Sequence, residues 1–110
     1  MLYPEAKTAT IASGQTTSGA VCIGRRILAA IQTPAALTGS ALAIHASTTE
    51  SGTYAPVYDS DGVAVSVAAA ASRFIGLSQG EADATYGALW VKLVSNASEG
   101  ADRSFTLSLR

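Results

Sequence analysis

Cysteine, charge and long apolar runs are all scarce in this sequence. Cys22 is the only cysteine among 110 residues, so the chain cannot form an internal disulfide, and we expect no zinc site to be built on it. No run of about 18 apolar residues is present to span a membrane. The first residues also lack the basic stretch and apolar core of a secretory signal peptide. We therefore expect a protein that stays in the cytoplasm where it is made, or leaves it by another route.

Charged residues make up 14% of the chain, against roughly 25% in an average globular protein. The net charge of -1 and the isoelectric point near 5.6 provide no basic field, so we expect no binding to nucleic acid or to an anionic membrane. Hydrophobic residues reach 48% and the mean hydropathy is +0.29. Because many of these residues are alanines, a weakly polar monomer surface is one interpretation. We favour the other, a surface partly buried in an oligomer or against a large partner, because interface cores are depleted of charge.

The clearest structural signal is the stretch from residue 41 to residue 67. Apolar residues alternate there with small or polar residues in three runs, and glycine-containing turn sequences separate the runs. Alternation with a period of two is typical of strands. The stretch therefore predicts a β-meander of three consecutive antiparallel strands.

The rest of the chain also favours short strands. They are predicted at residues 7–12, 20–23, 25–33, 73–78, 88–95 and 103–110. The third of these runs also fits a helical face, but it is short and lies between a glycine and a proline, so we favour a strand with Ile27, Ala29 and Ile31 pointing inward. Four alanines at residues 68–71 are too few to nucleate a helix and are predicted to end a strand. Residues 79–87 are predicted to form a loop with one helical turn.

Two runs define the expected core. Residues 88–95 are almost continuously apolar, which is typical of a central strand, and residues 103–110 place three large apolar side chains on one face. Seven to nine short strands without a clear helix predict an all-β fold, an antiparallel β-sandwich. A chain of 110 residues is expected to form one core. We therefore predict an irregular N-terminal arm at residues 1–7 and one β-sandwich domain at residues 8–110.

No arrangement of residues predicts an enzyme. His45 is the only histidine, and it lies in a strand on the face opposite Leu42 and Ile44, where a solvated or interface role is expected. A serine nucleophile would have to be held beside that base, and the Gly-x-Ser-x-Gly pattern is missing. Residues 59–62, Asp-Ser-Asp-Gly, have a superficial likeness to a calcium loop, but alanines occupy the positions that need glycine and glutamate. We predict a hairpin turn there, and neither a metal nor a cofactor.

The aromatic side chains suggest a different kind of site. Tyr54, Tyr58 and Tyr86 could provide a platform on which sugar rings stack. Trp90 could contribute to the same platform, but it lies in the most apolar strand, so we expect it in the core.

Four segments form a series of turns and strands with a known counterpart. They are residues 10–16 (Thr-Ile-Ala-Ser-Gly-Gln-Thr), residues 31–39 (Ile-Gln-Thr-Pro-Ala-Ala-Leu-Thr-Gly), the meander with Gly-Thr-Tyr-Ala-Pro-Val-Tyr-Asp at residues 52–59 and Asp61-Gly62, and residues 89–95 (Leu-Trp-Val-Lys-Leu-Val-Ser). In this series the chain resembles a family of small β-sandwich proteins of tailed bacteriophages and gene transfer agents, over residues 8–110. Members of that family are thought to be virion structural components, some of them jelly-roll-like. The resemblance therefore implies a jelly-roll-like sandwich and no catalytic residues.

Within this class we expect a capsid decoration, or cement, protein that binds the outer surface of an assembled phage head and stabilises it, because the chain combines low charge with a predicted N-terminal arm that could order on a neighbouring subunit. Its partner would be the major capsid protein, and its location the virion, after synthesis in the bacterial host cytoplasm. We expect a homo-oligomer, with a trimer favoured. The expected capsid contacts are Met1, Leu2, Tyr3, Pro4, Glu5, Ala6 and Lys7 of the arm, with Arg25 and Arg26 as ion-pair partners for acidic patches.

The alternative is a carbohydrate-binding module of a head fibre or tail, which would help the particle to adhere to host glycans. Such a module would use exposed aromatic side chains, and the candidates are Tyr54, Tyr58 and Tyr86.

Overall fold

The computed structural model describes residues 5–110, which form nine strands and one short helix. The strands are β1 (Glu5–Ile11), β2 (Val21–Gly24), β3 (Leu28–Gln32), β4 (Ala41–Ser47), β5 (Ala55–Pro56), β6 (Ser66–Ala68), β7 (Phe74–Gly76), β8 (Leu89–Ser95) and β9 (Arg103–Leu109), and the helix is α1 (Gln79–Asp83). Across this part of the chain, no helix is long and apolar enough to cross a membrane.

The strands form two antiparallel sheets. One sheet has the strand order β1-β9-β3-β7, and the other has the order β2-β8-β4-β5, with β6 also paired to β4. The two strands with the strongest sequence signals, β8 and β9, each lie between two neighbours inside their sheet. The all-β, antiparallel sandwich predicted from the sequence is thereby confirmed.

The core is built by alternate residues of the strands. In β9 the side chains of Phe105, Leu107 and Leu109 are buried, as their alternation with polar residues predicts, and Val91 and Leu93 of β8 are fully buried as well. Burial of a large apolar side chain contributes about 2 kcal/mol to folding. The same period of two that identifies these strands therefore also accounts for much of the stability of the fold.

The stretch of residues 41–67 is not a simple meander. β5 and β6 both pair antiparallel with β4, on the edge that β8 leaves free. Val57 and Val65 still hydrogen-bond to Ile44 of β4, and the residues between them form a hairpin that contains a bridge between Tyr58 and Ala64. The prediction of three successively paired strands is wrong, because the second and third runs share one edge of β4 instead of pairing along their length.

The strand at β3 is present as predicted, but its register differs. Leu28 and Ala30 are buried, whereas Ile27 and Ala29 are only half-buried. The pairing of β3 with β9 shifts between Leu28 and Ala30, which leaves an extra residue in β3. The inward orientation predicted for Ile27 and Ala29 is therefore wrong, while Ile31 is fully buried as expected.

The first described residues belong to the sheet and not to an arm. β1 begins at Glu5 and pairs with β9 without a break in register. The first buried residue of β1 is Ala9, but backbone pairing with β9 extends from there toward the N-terminus as far as Glu5. The strand therefore includes Glu5, Ala6 and Lys7. The predicted domain boundary after residue 7 is too late. The other residues of the predicted arm, Met1, Leu2, Tyr3 and Pro4, lie outside the described residues.

Trp90 and Cys22 are neighbours on the outer face of the second sheet. The two residues are paired across β8 and β2, and each is half-buried. The expected core position of Trp90 is wrong, because the inward positions of β8 are taken by Val91, Leu93 and Ser95.

The helix α1 confirms the helical turn predicted in residues 79–87. Ser78 and Glu81 form a reciprocal capping box at its start, in which each side chain accepts a hydrogen bond from the backbone N–H of the other residue. The fully buried Thr85 hydroxyl then donates to the Ala82 carbonyl at 2.7 Å and accepts from the Leu28 N–H at 2.8 Å. This side chain fastens the end of α1 to the start of β3.

Candidate functional site

A cluster of charged side chains lies where β1 begins. The Arg26 Nε atom is 2.7 Å from one Glu5 carboxylate oxygen, and Lys7 Nζ is 3.5 Å from the other. Arg26 reaches Glu5 from the turn between β2 and β3, where its N–H donates to the Ile23 carbonyl at 3.0 Å. The structure thus brings together three of the side chains predicted to contact a capsid.

Arg25 differs from Arg26 in its surroundings. Arg25 is exposed, and among residues 5–110 it has no carboxylate within ion-pair distance. The three side chains of the Glu5 cluster are about one-third exposed, and ion pairs in such positions contribute about 1 kcal/mol or less. Arg25 is therefore the residue of this turn whose charge is most available to a partner.

The turn at residues 59–62 is a hairpin turn, as predicted. One Asp59 carboxylate oxygen accepts hydrogen bonds from the N–H groups of Asp61 and Val63, both at 2.9 Å. Gly62 has a φ of +81°, which glycine adopts without steric cost. Among the described residues, no three His, Cys, Asp or Glu side chains are grouped so that they could hold a metal ion.

An open cleft of about 360 Å³ lies between this hairpin and α1. Its aromatic wall is Tyr58, which is 57% exposed, and carboxylates stand around it. The lining residues are Tyr58, Asp59, Ser60, Asp61, Gly80, Asp83 and Ala84. An exposed aromatic ring beside hydrogen-bond acceptors is a combination that can hold a sugar ring.

Of the three tyrosines considered as a sugar platform, Tyr58 alone lines this cleft. Tyr86 is 66% exposed after α1 but does not line it. Tyr54 is half-buried; its hydroxyl donates to the Glu50 carbonyl at 2.7 Å, and Lys92 Nζ lies 4.4 Å from its ring centroid. Burial, and then the Glu50 carboxylate, raise the pKa of Tyr54.

His45 lies on the outer face of β4, as the alternation predicted. Its Cα partners in the sheet are Lys92 and Pro56, and its side chain is half-buried. Leu42 and Ile44 point the other way, into the core.

The most tightly held charge in the described residues is Glu99, which the sequence interpretation did not single out. Its side chain is fully buried, and the carboxylate accepts hydrogen bonds from Thr38 N at 2.8 Å, Gly39 N at 2.9 Å, Ser95 Oγ at 2.9 Å and Arg103 Nε at 3.0 Å. The loop before β4 is thereby tied to the turn between β8 and β9. Glu99 stands four residues before Arg103, and this spacing of opposite charges is the only sequence signal for the pair.

The electrostatics of Glu99 follow from these contacts. Burial by itself would raise the pKa of the carboxyl group, but the hydrogen bonds from the Thr38 and Gly39 backbone, from Ser95 and from Arg103 outweigh it and lower the pKa from 4.5 to about 2. The group is therefore ionised at neutral pH and acts as a structural clasp at the end of the sandwich opposite the Glu5 cluster.

No family model matches the sequence, and no curated protein matches it either. The fold, however, is similar to that of a prophage-derived protein. That neighbour is the SPBc2 prophage-derived protein YomS. Its crystal structure aligns with a TM-score of 0.56 and 12% sequence identity over 100% of this chain and 97% of YomS. At that identity YomS supports the architecture of the chain and assigns no residue a role. The structural neighbour therefore comes from a prophage, in agreement with the resemblance of the sequence to phage β-sandwich proteins. Membership of a capsid-decoration family stays a prediction.

Proposed function

We propose that this chain is a phage virion protein that binds the outer surface of assembled heads and stabilises them as a cement protein. The observation that carries the proposal is the fold similarity to prophage-derived YomS over the whole length of the chain. The turn-and-strand pattern that resembles small phage β-sandwich proteins supports the same class from the sequence.

The mechanism needs no chemical step. A protein that binds the assembled shell but not the separated subunits stabilises the shell. The stabilising free energy grows with the logarithm of the ratio of the free protein concentration to Kd. The low proportion of charged residues, 14%, suits a surface that is to be covered by a large partner.

The surface that we assign to the capsid is the side of the molecule where β1 begins and the turn between β2 and β3 lies. Arg26 is already paired with Glu5, whereas Arg25 is exposed and can meet an acidic capsid side chain. A charge at the rim of an interface mainly affects the association rate and its salt dependence.

The test is binding of the purified chain to heads that lack it, measured by cosedimentation, together with the temperature at which the heads release DNA. We expect saturable binding and a higher release temperature; heads that bind no protein, or are not stabilised by it, would refute the cement function. Removal of residues 1–4 tests the predicted arm, because removal of residues 1–7 would also delete the first three residues of β1.

Arg25→Ala tests the assigned surface. The control is Arg73→Ala, which changes another exposed arginine that lies beside β7. We expect Arg25→Ala to weaken capsid binding by about tenfold at low salt and the control to leave it unchanged. Equal behaviour of the two variants would show that the capsid binds a different face.

A second candidate function is carbohydrate binding for host adhesion, and the cleft beside Tyr58 favours it. Tyr58→Ala should abolish binding to an arrayed glycan, while Tyr54→Phe should not, because Tyr54 lies outside the cleft. If the wild-type chain binds no glycan on the array, this candidate is withdrawn.

A further inference from the structure

β1 forms one edge of its sheet, and most of that edge is open among the described residues. Within residues 5–110, β9 is the only strand that pairs with β1, and the segment around Ser18 and Gly19 covers the far end of β1 at Thr10 and Ile11. Among the described residues, no strand lies beside the part of the edge from Glu5 to Ala9. An uncovered edge of this kind is a template for another strand.

The direction of the backbone groups along β1 follows from one hydrogen bond. The Thr10 carbonyl accepts from Gly19 N at 3.2 Å, so it points away from β9. Residues alternate along a strand, and the N–H and C=O of one residue point to the same side. The peptide groups of Ala6 and Thr8 therefore also point away from β9, toward the open edge, and both residues are exposed.

We propose that the open edge of β1 pairs antiparallel with β1 of a second copy of this chain, about a two-fold axis at Ala6. In that register the Ala6 N–H of each copy donates to the Ala6 carbonyl of the other. The two four-stranded sheets then continue into one sheet of eight strands. The inference concerns the free chain and does not rest on the proposed capsid function; it gives a two-fold pair in place of the trimer expected from the sequence.

Charge selects this register over its neighbours. An axis at Ala6 places Glu5 of each copy directly opposite Lys7 of the other, whereas an axis at Lys7 places the two lysines opposite each other. An axis at Thr8 requires the Thr10 carbonyl, which Gly19 already occupies. A lysine on an edge strand normally opposes such pairing, but here Glu5 lies 3.5 Å from Lys7 and compensates its charge.

The experiment is sedimentation equilibrium of the full chain over a concentration series, with charge variants that can complement each other. Lys7→Glu alone would place glutamates opposite glutamates, and Glu5→Lys alone would place lysines opposite lysines. We expect each to raise the dimer Kd by about tenfold or more. An equimolar mixture of the two variants would restore both attractive pairs and should dimerise about as tightly as the wild type.

A separate variant tests the backbone hydrogen bonds of the proposed strand pair. Ala6→Pro removes the donated N–H at the centre of the pair, and proline is tolerated on an edge strand. It should abolish dimerisation, while Ala6→Val, which keeps the N–H, should not. Circular dichroism and urea unfolding show whether each variant keeps its fold. A wild-type chain that stays monomeric up to about 1 mM would overturn the proposal, and so would a mixture of charge variants that fails to associate.

Discussion

Replacement of Glu99 by glutamine tests the clasp at the end of the sandwich. The change removes the negative charge beside Arg103 and places an amide NH₂ among groups that are themselves donors, Thr38 N, Gly39 N and Ser95 Oγ. Removal of one partner from a buried ion pair costs about 3–5 kcal/mol. A domain of this size has a free energy of unfolding of roughly 5–15 kcal/mol. We therefore expect Glu99→Gln to lose a large fraction of the stability at neutral pH.

The pH dependence gives an independent measure of the same interaction. The pKa of Glu99 is about 2 in the folded chain against an ordinary 4.5, and this difference corresponds to about 3 kcal/mol. Because the folded pKa is the lower one, this stability is present above the ordinary pKa and is lost as the pH falls through the folded value. The difference in unfolding free energy between the wild type and Glu99→Gln should therefore shrink by about 3 kcal/mol between about pH 6 and pH 2.

Urea unfolding at a series of pH values, with the m-value checked for constancy, measures both effects. Glu50→Gln is the matched control, because Glu50 is exposed and its carboxylate forms no ion pair within the described residues. A loss below about 1 kcal/mol for Glu99→Gln, the size of a surface pair, would refute the clasp. So would a difference between wild type and variant that stays constant as the pH falls.

Two further changes test the packing around the loops. Gly39→Ala should destabilise the fold by about 2 kcal/mol or more, because its Cβ would overlap Ser95 Oγ, whereas Gly100→Ala meets no atom within 4 Å and serves as the control in thermal unfolding. Thr85→Val should cost about 2 kcal/mol in urea unfolding, because it leaves the Leu28 N–H buried without its acceptor; an unchanged stability would show that another group replaces the hydroxyl.

The sequence predicts well those strands in which apolar and polar residues alternate strictly, because one face of the strand lies in the core and the other meets solvent. β9 shows this most clearly, because one face packs in the core and the other meets solvent, so its period of two is undisturbed. β3 shows the limit: one extra residue between Leu28 and Ala30 shifts the period, and nothing local in the sequence marks that bulge.

Pairing between distant segments could not be read from the sequence at all. The alternation of residues 41–67 predicts strands but not which edge each strand joins, so it does not predict the shared edge of β4. The Glu99 clasp is similar, since its two backbone donors, Thr38 and Gly39, stand 61 and 60 residues away along the chain. Only the folded sandwich brings these groups together.

Immunogold labelling of phage particles shows whether this chain has a structural role on the phage head. Particles of the phage that encodes this chain would be purified, treated with a gold-coupled antibody against it, and scored for the position of each gold particle. We expect label spread evenly over the heads. Label confined to the tail, or particles that carry no label, would contradict it.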